Sequence, residues 1–196
     1  MRLGETASVR SGLVLARKLS RGPTKYRYPS LNLRSIAPEG YIDVTLLDVF
    51  DAVEQLAADY LTQKDDVIIR LSSPYTTVLI DDETAGMVIS SNFAIVRTNN
   101  ERVLAEYLFW LLNTPNVKRQ IFENTSSNML GAIKPKFFAD FEIEPLPLDK
   151  QLEIAAINKL ARRESFLLSA LAREKEKYHA AIIDRVHDEM RKECGI

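Results

Sequence analysis

The sequence holds a single cysteine, Cys194, near its end, which excludes a disulfide framework and a cysteine-based zinc site. Histidine is almost as scarce. His179 and His187 are the only two, and no serine or cysteine motif accompanies them to form a nucleophilic pair. The seven glycines are isolated, so neither a G-x-G-x-x-G turn nor a Walker loop is present to cradle phosphates. No apolar run approaches the ~18 residues that span a bilayer. The opening MRLGETASVRSG lacks a secretory h-region, so a cytoplasmic location without membrane association is expected. No His/Asp/Glu grouping has metal-ligand spacing.

What is present is ordinary in amount and uneven in arrangement. The 196 residues are 46% apolar and 27% charged, enough for one domain with a proper core. The net charge of −1 conceals two opposed blocks. Residues 1–36 carry eight basic side chains against Glu5 alone, a net of +7, whereas residues 39–66 carry eight carboxylates against Lys64, a net of −7. The basic block can bind phosphates, or it can be surface neutralised by its acidic neighbour.

The last quarter organises the rest. No Gly or Pro falls between Leu148 and Glu193, Asp149 can cap the start, and Gly195 sits just past the end. A helix of ~45 residues at about 1.5 Å per residue is a rod roughly 65 Å long. Leu160, Leu167, Leu171, Tyr178, Ile182, Val186 and Met190 follow one another at intervals of 7, 4, 7, 4, 4 and 4, which makes one continuous apolar seam. Such a seam can be covered by the helix's own domain, or by a parallel or antiparallel helix of another chain, and the length of the rod favours the second. Glu164 and Glu174 interrupt it, which argues against a uniform leucine zipper.

Upstream, the pattern predicts short strands and two helices. Asp66–Leu71 and Thr77–Ile80 read as a buried strand and its partner around the polar loop Ser72-Ser73-Pro74-Tyr75. Met87–Ser90 and Phe93–Val96 read as two more strands, together a β-meander. Pro29 places the strand after Tyr26 at a sheet edge. Thr45–Leu61 is ambiguous: its spacing is helical, but the β-branched residues at its start leave a strand possible there. Asn100 caps a helix ending near Asn113, Thr114-Pro115 starts another, and a strand follows at Phe141–Ile143. The fold class is therefore α+β, with a small mixed sheet followed by a long C-terminal helix.

Chemistry is sparse. Asp65-Asp66 and Asp81-Asp82-Glu83 flank strands as nuclease carboxylates can, but no lysine follows at a short interval, and they read as caps and turn residues. Ser72-Ser73-Pro74-Tyr75 invites comparison with the S/N/D-P-P-Y loop of amino-methyltransferases. The first proline and the Gly-rich S-adenosylmethionine loop are both missing, so it is not a methyl-transfer site.

Several blocks, in order, resemble the specificity (S) subunit of type I restriction–modification systems. Arg2-Leu3-Gly4-Glu5 through Val9-Arg10-Ser11-Gly12 resembles that family's opening L-G-…-I-R-S-G. Tyr28 to Ile36 and Gly40-Tyr41-Ile42-Asp43 resemble its strand followed by G-x-I-D. Leu61 to Ile68 resembles L-x-x-G-D-I-L, with Lys64-Asp65 where Gly-Asp is usual, and Ser90 to Arg97 resembles S-x-N-x-A-x-I-R. Phe141 to Ala155 resembles I-P-L-P-P-L-x-E-Q-x-x-I-A, the opening of the spacer helix. The loop Ser126 to Ile133 matches poorly.

The resemblance implies a non-catalytic reader of double-stranded DNA. Residues 1–146 would be a target-recognition domain and residues 147–196 a spacer and dimerisation helix. A full-length member carries two of each, so the chain resembles a half subunit that pairs with itself, through Leu160, Leu167, Leu171, Tyr178, Ile182 and Val186, to read a bipartite inverted target. Methyltransferase (M) subunits would dock on the spacer and bring the S-adenosylmethionine, with no cofactor in this chain, and the restriction (R) subunit would join through them. Expected DNA contacts are Arg17, Lys18, Arg21, Lys25 and Arg27, which suit phosphates and guanine edges. Ser73, Tyr75, Ser127 and Asn128 follow as loop residues. Two other classes stay open: a scaffold protein that recruits partners through its helix, and a nuclease using Asp65, Asp66 and Asp81.

Overall fold

The computed structural model describes residues 1–37, 39–125 and 133–194. Its strands are β1 (Ala7–Ser11), β2 (Arg27–Leu31), β3 (Asp48–Asp51), β4 (Val67–Arg70), β5 (Thr77–Leu79), β6 (Val88–Ile89) and β7 (Phe93–Thr98). Its helices are α1 (Ala105–Asn113), α2 (Pro115–Thr125), α3 (Pro135–Ala139) and α4 (Leu148–Glu193). The α+β class expected from the sequence is the one found, with mixed strand pairing and a long final helix.

The strands form two sheets. A four-stranded antiparallel sheet has the order β1-β7-β4-β5, and a three-stranded sheet has the order β3-β2-β6, with β2 antiparallel to β3 and parallel to β6. The larger sheet is buried on both faces, which explains the unbroken apolar runs of β4 and β7. Side chains alternate between the faces with a period of two. Val67, Ile69, Ala94 and Val96 join Leu108, Leu112 and Phe138 in one core, while Ile68, Phe93 and Ile95 join Leu31, Met87 and Ile89 in another. A third, smaller core gathers Leu13, Phe50, Ala52, Leu56 and Val88.

One buried ion pair crosses the larger sheet. Asp66 is fully buried and accepts from both Nε and Nη2 of Arg97, at 2.6 and 2.7 Å, and from the Gln63 amide at 2.8 Å. The same hydrogen bonds and charge hold the Arg97 guanidinium above its ordinary pKa. The remaining N–H groups of Arg97 turn to Asp59, which Arg10 also approaches at 3.3 Å.

Three expectations are corrected and one open reading is decided. The β-meander is not formed, because β6 joins the smaller sheet and β7 lies between β1 and β4. β2 is central and not an edge strand; its parallel pairing with β6 starts only at Ser30, so Pro29 lies beyond that ladder and its missing N–H costs nothing there. The open reading of Thr45–Leu61, helix or a strand at its start, is decided for the strand: Asp48–Asp51 pairs with β2, flanked by 3-10 turns at Val44–Leu46 and Ala58–Tyr60. Phe141–Ile143 makes only a bridge between Arg2 and Glu142, with the amides of Leu3 and Ile143 donating to Phe141 O and Met1 O.

The chain divides into two compact units, Met1–Ala155 and Ala156–Ile196. The division falls inside α4, after its first two turns, where the expected boundary lay ahead of the helix. Gly195 lies outside the described residues. No helix among the described residues is long and apolar enough to cross a membrane.

Candidate nucleic-acid interface

Several turns of the first unit converge at one end of the four-stranded sheet. β1 and β4 end there, β7 and β5 begin there, and main-chain hydrogen bonds join the connecting segments. The Gly12 amide donates to Phe93 O at 3.1 Å, Leu13 N to Ile89 O at 2.7 Å and Ser91 N to Leu13 O at 2.9 Å. Leu71 N donates to Asn92 O at 3.0 Å, and Ile133 N donates to Leu71 O at 2.9 Å. Gly12 is required for this closeness, since a Cβ on it would lie 2.2 Å from the Ser90 carbonyl oxygen. The side chains of Ser11, Ser73, Ser91 and Asn92 are exposed around this stitched backbone.

Beside it opens a cleft of about 430 Å³, whose lining includes Asn32, Arg34, Asp48, Ser90 and Asn92. Asp48 organises its wall, accepting from Arg34 Nη2 at 2.5 Å and Asn32 Nδ2 at 2.9 Å. Asn32 in turn accepts from the amides of Arg34 and Ser35, so the cleft's polar groups are held in fixed directions. Fixed donors and acceptors of this kind suit the edges of bases or the oxygens of a sugar–phosphate backbone.

The later part of the basic block, from Arg17 to Arg34, lies along the three-stranded sheet and is partly neutralised by the acidic block, as its charge balance allowed. Arg27 Nε meets Asp51 at 2.8 Å, and Lys18 pairs with Glu54, whose hydrogen bond and charge raise the lysine pKa. Arg17, Arg21 and Lys25 are exposed and have no carboxylate partner among the described residues. Lys25 Nζ lies 5.2 Å from the centroid of the Tyr26 ring. Three of the five expected cations are thus available to phosphate, and two are already paired.

The loop residues separate as well. Ser73 is exposed in the β4–β5 turn, as expected. Tyr75 is corrected: it is only 5% exposed and belongs to the large core, so its ring is not a surface group. Its positive φ of 55° turns the chain so that the ring points inward. Ser127 and Asn128 fall outside the described residues. Asn32, Arg34, Ser90 and Asn92 were not singled out. Their only sequence signals are the turn composition at Ser90–Asn92 and the place of Arg34 in the basic block.

Two of the three carboxylates of the nuclease reading, Asp66 and Asp81, have structural duties. Asp66 is held by Arg97, and Asp81 closes a turn by accepting from the amides of Glu83 and Thr84 and the Thr84 hydroxyl. Among the described residues no group of three His, Cys, Asp or Glu side chains is placed to hold a metal ion.

The second unit is helical and its apolar side chains are open. Leu160 is 72% exposed and Tyr178 64%, and Leu167, Leu171, Ile182 and Val186 are exposed too. Ile157, Leu160, Leu167, Leu168 and Leu171 line a shallow apolar groove of about 680 Å³.

No known family profile matches the sequence, and no curated protein does. Solved structures match in fold. The HsdS subunit from Thermoanaerobacter tengcongensis gives a TM-score of 0.64 at 18% identity, over 85% of this chain and 43% of that one. A structure that describes complex assembly and conformational transition of the type I R-M system gives 0.57 at 19% identity, over 86% and 39%. The type I restriction–modification S subunit from M. genitalium gives 0.51 at 16%, over 88% and 42%. The chain therefore has the fold found in type I restriction–modification S subunits, and it spans less than half the length of the solved chains it matches.

Proposed function

We propose that the protein is a non-catalytic DNA sequence-recognition subunit of a type I restriction–modification complex, acting in the cytoplasm. The observation that carries this reading is the likeness to S subunits over 85% or more of the chain. In this reading residues 1–146 recognise DNA. Arg17, Arg21 and Lys25 engage phosphates, and the stitched loop end, with Ser73, Ser91 and Asn92, meets base edges. Residues 147–196 pair with a second copy through Leu160, Leu167, Leu171, Tyr178, Ile182 and Val186. Two recognition heads then read inverted half-sites across a fixed gap. Methyltransferase subunits dock on the paired helices and supply S-adenosylmethionine chemistry, and the restriction subunit joins through them.

Mapping modified bases across the host genome, with and without this gene, tests the reading. A two-part methylated motif that disappears with the gene is the expected result; an unaltered pattern overturns it and leaves the scaffold reading. A second measurement addresses the basic block. Arg21→Ala with Lys25→Ala weakens binding to duplex DNA and flattens the log–log salt dependence by about 2, one per lost phosphate contact. An unchanged slope removes that loop from the interface.

A further inference from the structure

Among the described residues of Met1–Ala155, three arginines are half-buried: Arg10 in β1, Arg70 in β4 and Arg97 in β7. All three project from one face of the four-stranded sheet. Arg10 and Ile68 both lie opposite Ile95, and Arg70 and Arg97 follow Ile68 and Ile95 at the strand period of two. A guanidinium drawn partly out of water costs stability unless a carboxylate answers it. Arg97 is answered by Asp66 and Arg10 by Asp59. Arg70 meets no carboxylate among the described residues. Its Nε donates to the Ser72 hydroxyl at 3.1 Å, a neutral partner two residues on.

Arg70 stands at the candidate interface. It ends β4 opposite Phe93, the first residue of β7, and its amide donates to Thr76 O at 3.0 Å. The next amide, that of Leu71, donates to Asn92 O in the stitched backbone. Exposed Ser73 and Asn92 are its neighbours along the chain and across the ladder. Both ends of the side chain are thus set, the base by the sheet and the tip by Ser72. With Nε engaged, the two Nη groups form the free end of the fork and donate to no acceptor among the described residues. A fork held in advance loses less freedom on binding than a loose cation and selects its partner by geometry.

We propose that Arg70 is a specificity-determining residue that reads a guanine in the half-site, with Ser72 as its positioning residue. The proposal rests on the DNA-recognition function given above and names the base which that site takes. Guanine presents O6 and N7 side by side in the major groove, two acceptors for the two Nη donors. Adenine sets its N6 donor against one of them, cytosine offers a donor, and thymine a single acceptor. A phosphate would also accept from both, but a phosphate contact asks only for charge, which Arg17, Arg21 and Lys25 carry on exposed side chains.

Genome methylation mapping with the parent gene, and then with Arg70→Gln in its place, tests the assignment. Thermal melts of the purified full chains establish that each is folded. The parent motif is expected to hold a guanine pair in its half-site that Arg70→Gln no longer requires. Fluorescence anisotropy of the full chain on duplexes carrying the mapped motif measures the discrimination directly. Replacing that pair weakens binding by the parent roughly 10- to 100-fold and by Arg70→Gln less than about 2-fold. Arg70→Lys keeps the charge without the fork and lowers the ratio as well. Ser72→Ala lowers it in part, with the other positions of the motif read as before. If Arg70→Gln abolishes methylation altogether, the anisotropy ratio decides. A motif without guanine, or one that Arg70→Gln leaves unaltered, overturns the proposal while the DNA-recognition function stands. Equal weakening on every sequence, with the log–log salt slope reduced by about 1, makes Arg70 a phosphate contact and overturns it too. If Arg70→Gln and Arg70→Lys both fail to fold, the residue is structural support and the proposal is equally overturned. The lack of any two-part motif with the parent gene is failure of the DNA-recognition function instead, and the proposal falls with it.

Discussion

The two units draw on the same apolar residue types and use them in opposite ways. In Met1–Ala155, Ile68, Phe93 and Ile95 are sealed on one face of a sheet and Val67, Ile69 and Val96 on the other, and Asp66 is buried with its charge answered. In Ala156–Ile196, Ile157 and Leu160 are about 70% exposed and the charges on the same helix are solvated. Backbone hydrogen bonding is not what separates them, since the interior of α4 satisfies its own groups as the paired strands satisfy theirs. The difference lies in side-chain cover. One unit closes its hydrophobic surface by its own folding, and the other presents that surface to whatever packs against it.

The contrast can be broken most sharply from the helix. Leu160→Ser with Leu171→Ser removes about 1.5–3 kcal/mol per leucine from any self-association, doubled across two copies. Analytical ultracentrifugation should then find monomers at concentrations where the parent protein pairs, with the melting of the first unit unmoved. Next in size is Arg97→Met, which leaves the buried Asp66 carboxylate without its partner and costs about 3–5 kcal/mol in urea unfolding of the first unit. Pairing of the helix should be indifferent to it at temperatures where the sheet is intact. Gly12→Ala follows at about 1–3 kcal/mol, because its Cβ would press on the Ser90 carbonyl and push β1 away from β6.

The smallest effect is electrostatic. Partial burial raises the Asp81 pKa, but hydrogen bonds from the Thr84 hydroxyl and from the Thr84 and Glu83 amides outweigh it and hold the carboxyl below its ordinary 3.8. A lowered folded pKa contributes stability above the unfolded value and loses it as pH falls through the folded one. Asp81→Asn should therefore be less stable than the parent above pH 3.8, and the two unfolding midpoints should converge below it. A difference that persists into strong acid would mean that the turn depends on side-chain shape and not on the charge.

What was legible in the sequence follows the range of the forces involved. α4 was readable because a helix is local: no Gly or Pro interrupts Leu148–Glu193 and the seam repeats within each turn or two. β4, β5 and β7 were readable as strands from their apolar runs, but their order was not. Sheet order depends on which distant segment supplies a partner, and here Gly12 and Leu13 reach Phe93, Ile89 and Ser91 across some eighty positions of chain. The helical spacing in Thr45–Leu61 was real but lost to the pairing of Asp48–Asp51 with β2. For the candidate interface, the charge blocks showed that the basic set could be neutralised, and only the folded chain assigns Lys18 and Arg27 to carboxylates while Arg17, Arg21 and Lys25 have none among the described residues. Tyr75 misled because a polar loop composition says nothing about which way a left-handed residue turns its ring.

The stitching at the loop end has one more consequence. The Gly12, Leu13, Leu71, Ser91 and Ile133 amides that stitch β1, the β6–β7 turn, β4 and the segment at Ile133 all donate to main-chain carbonyls. Ser73, Ser91 and Asn92 add side chains to that lattice without holding it up, so replacing them one at a time alters the chemical surface and leaves its geometry in place. A lineage could change the chemistry that this end of the protein presents in single steps, each passing through a chain that still folds.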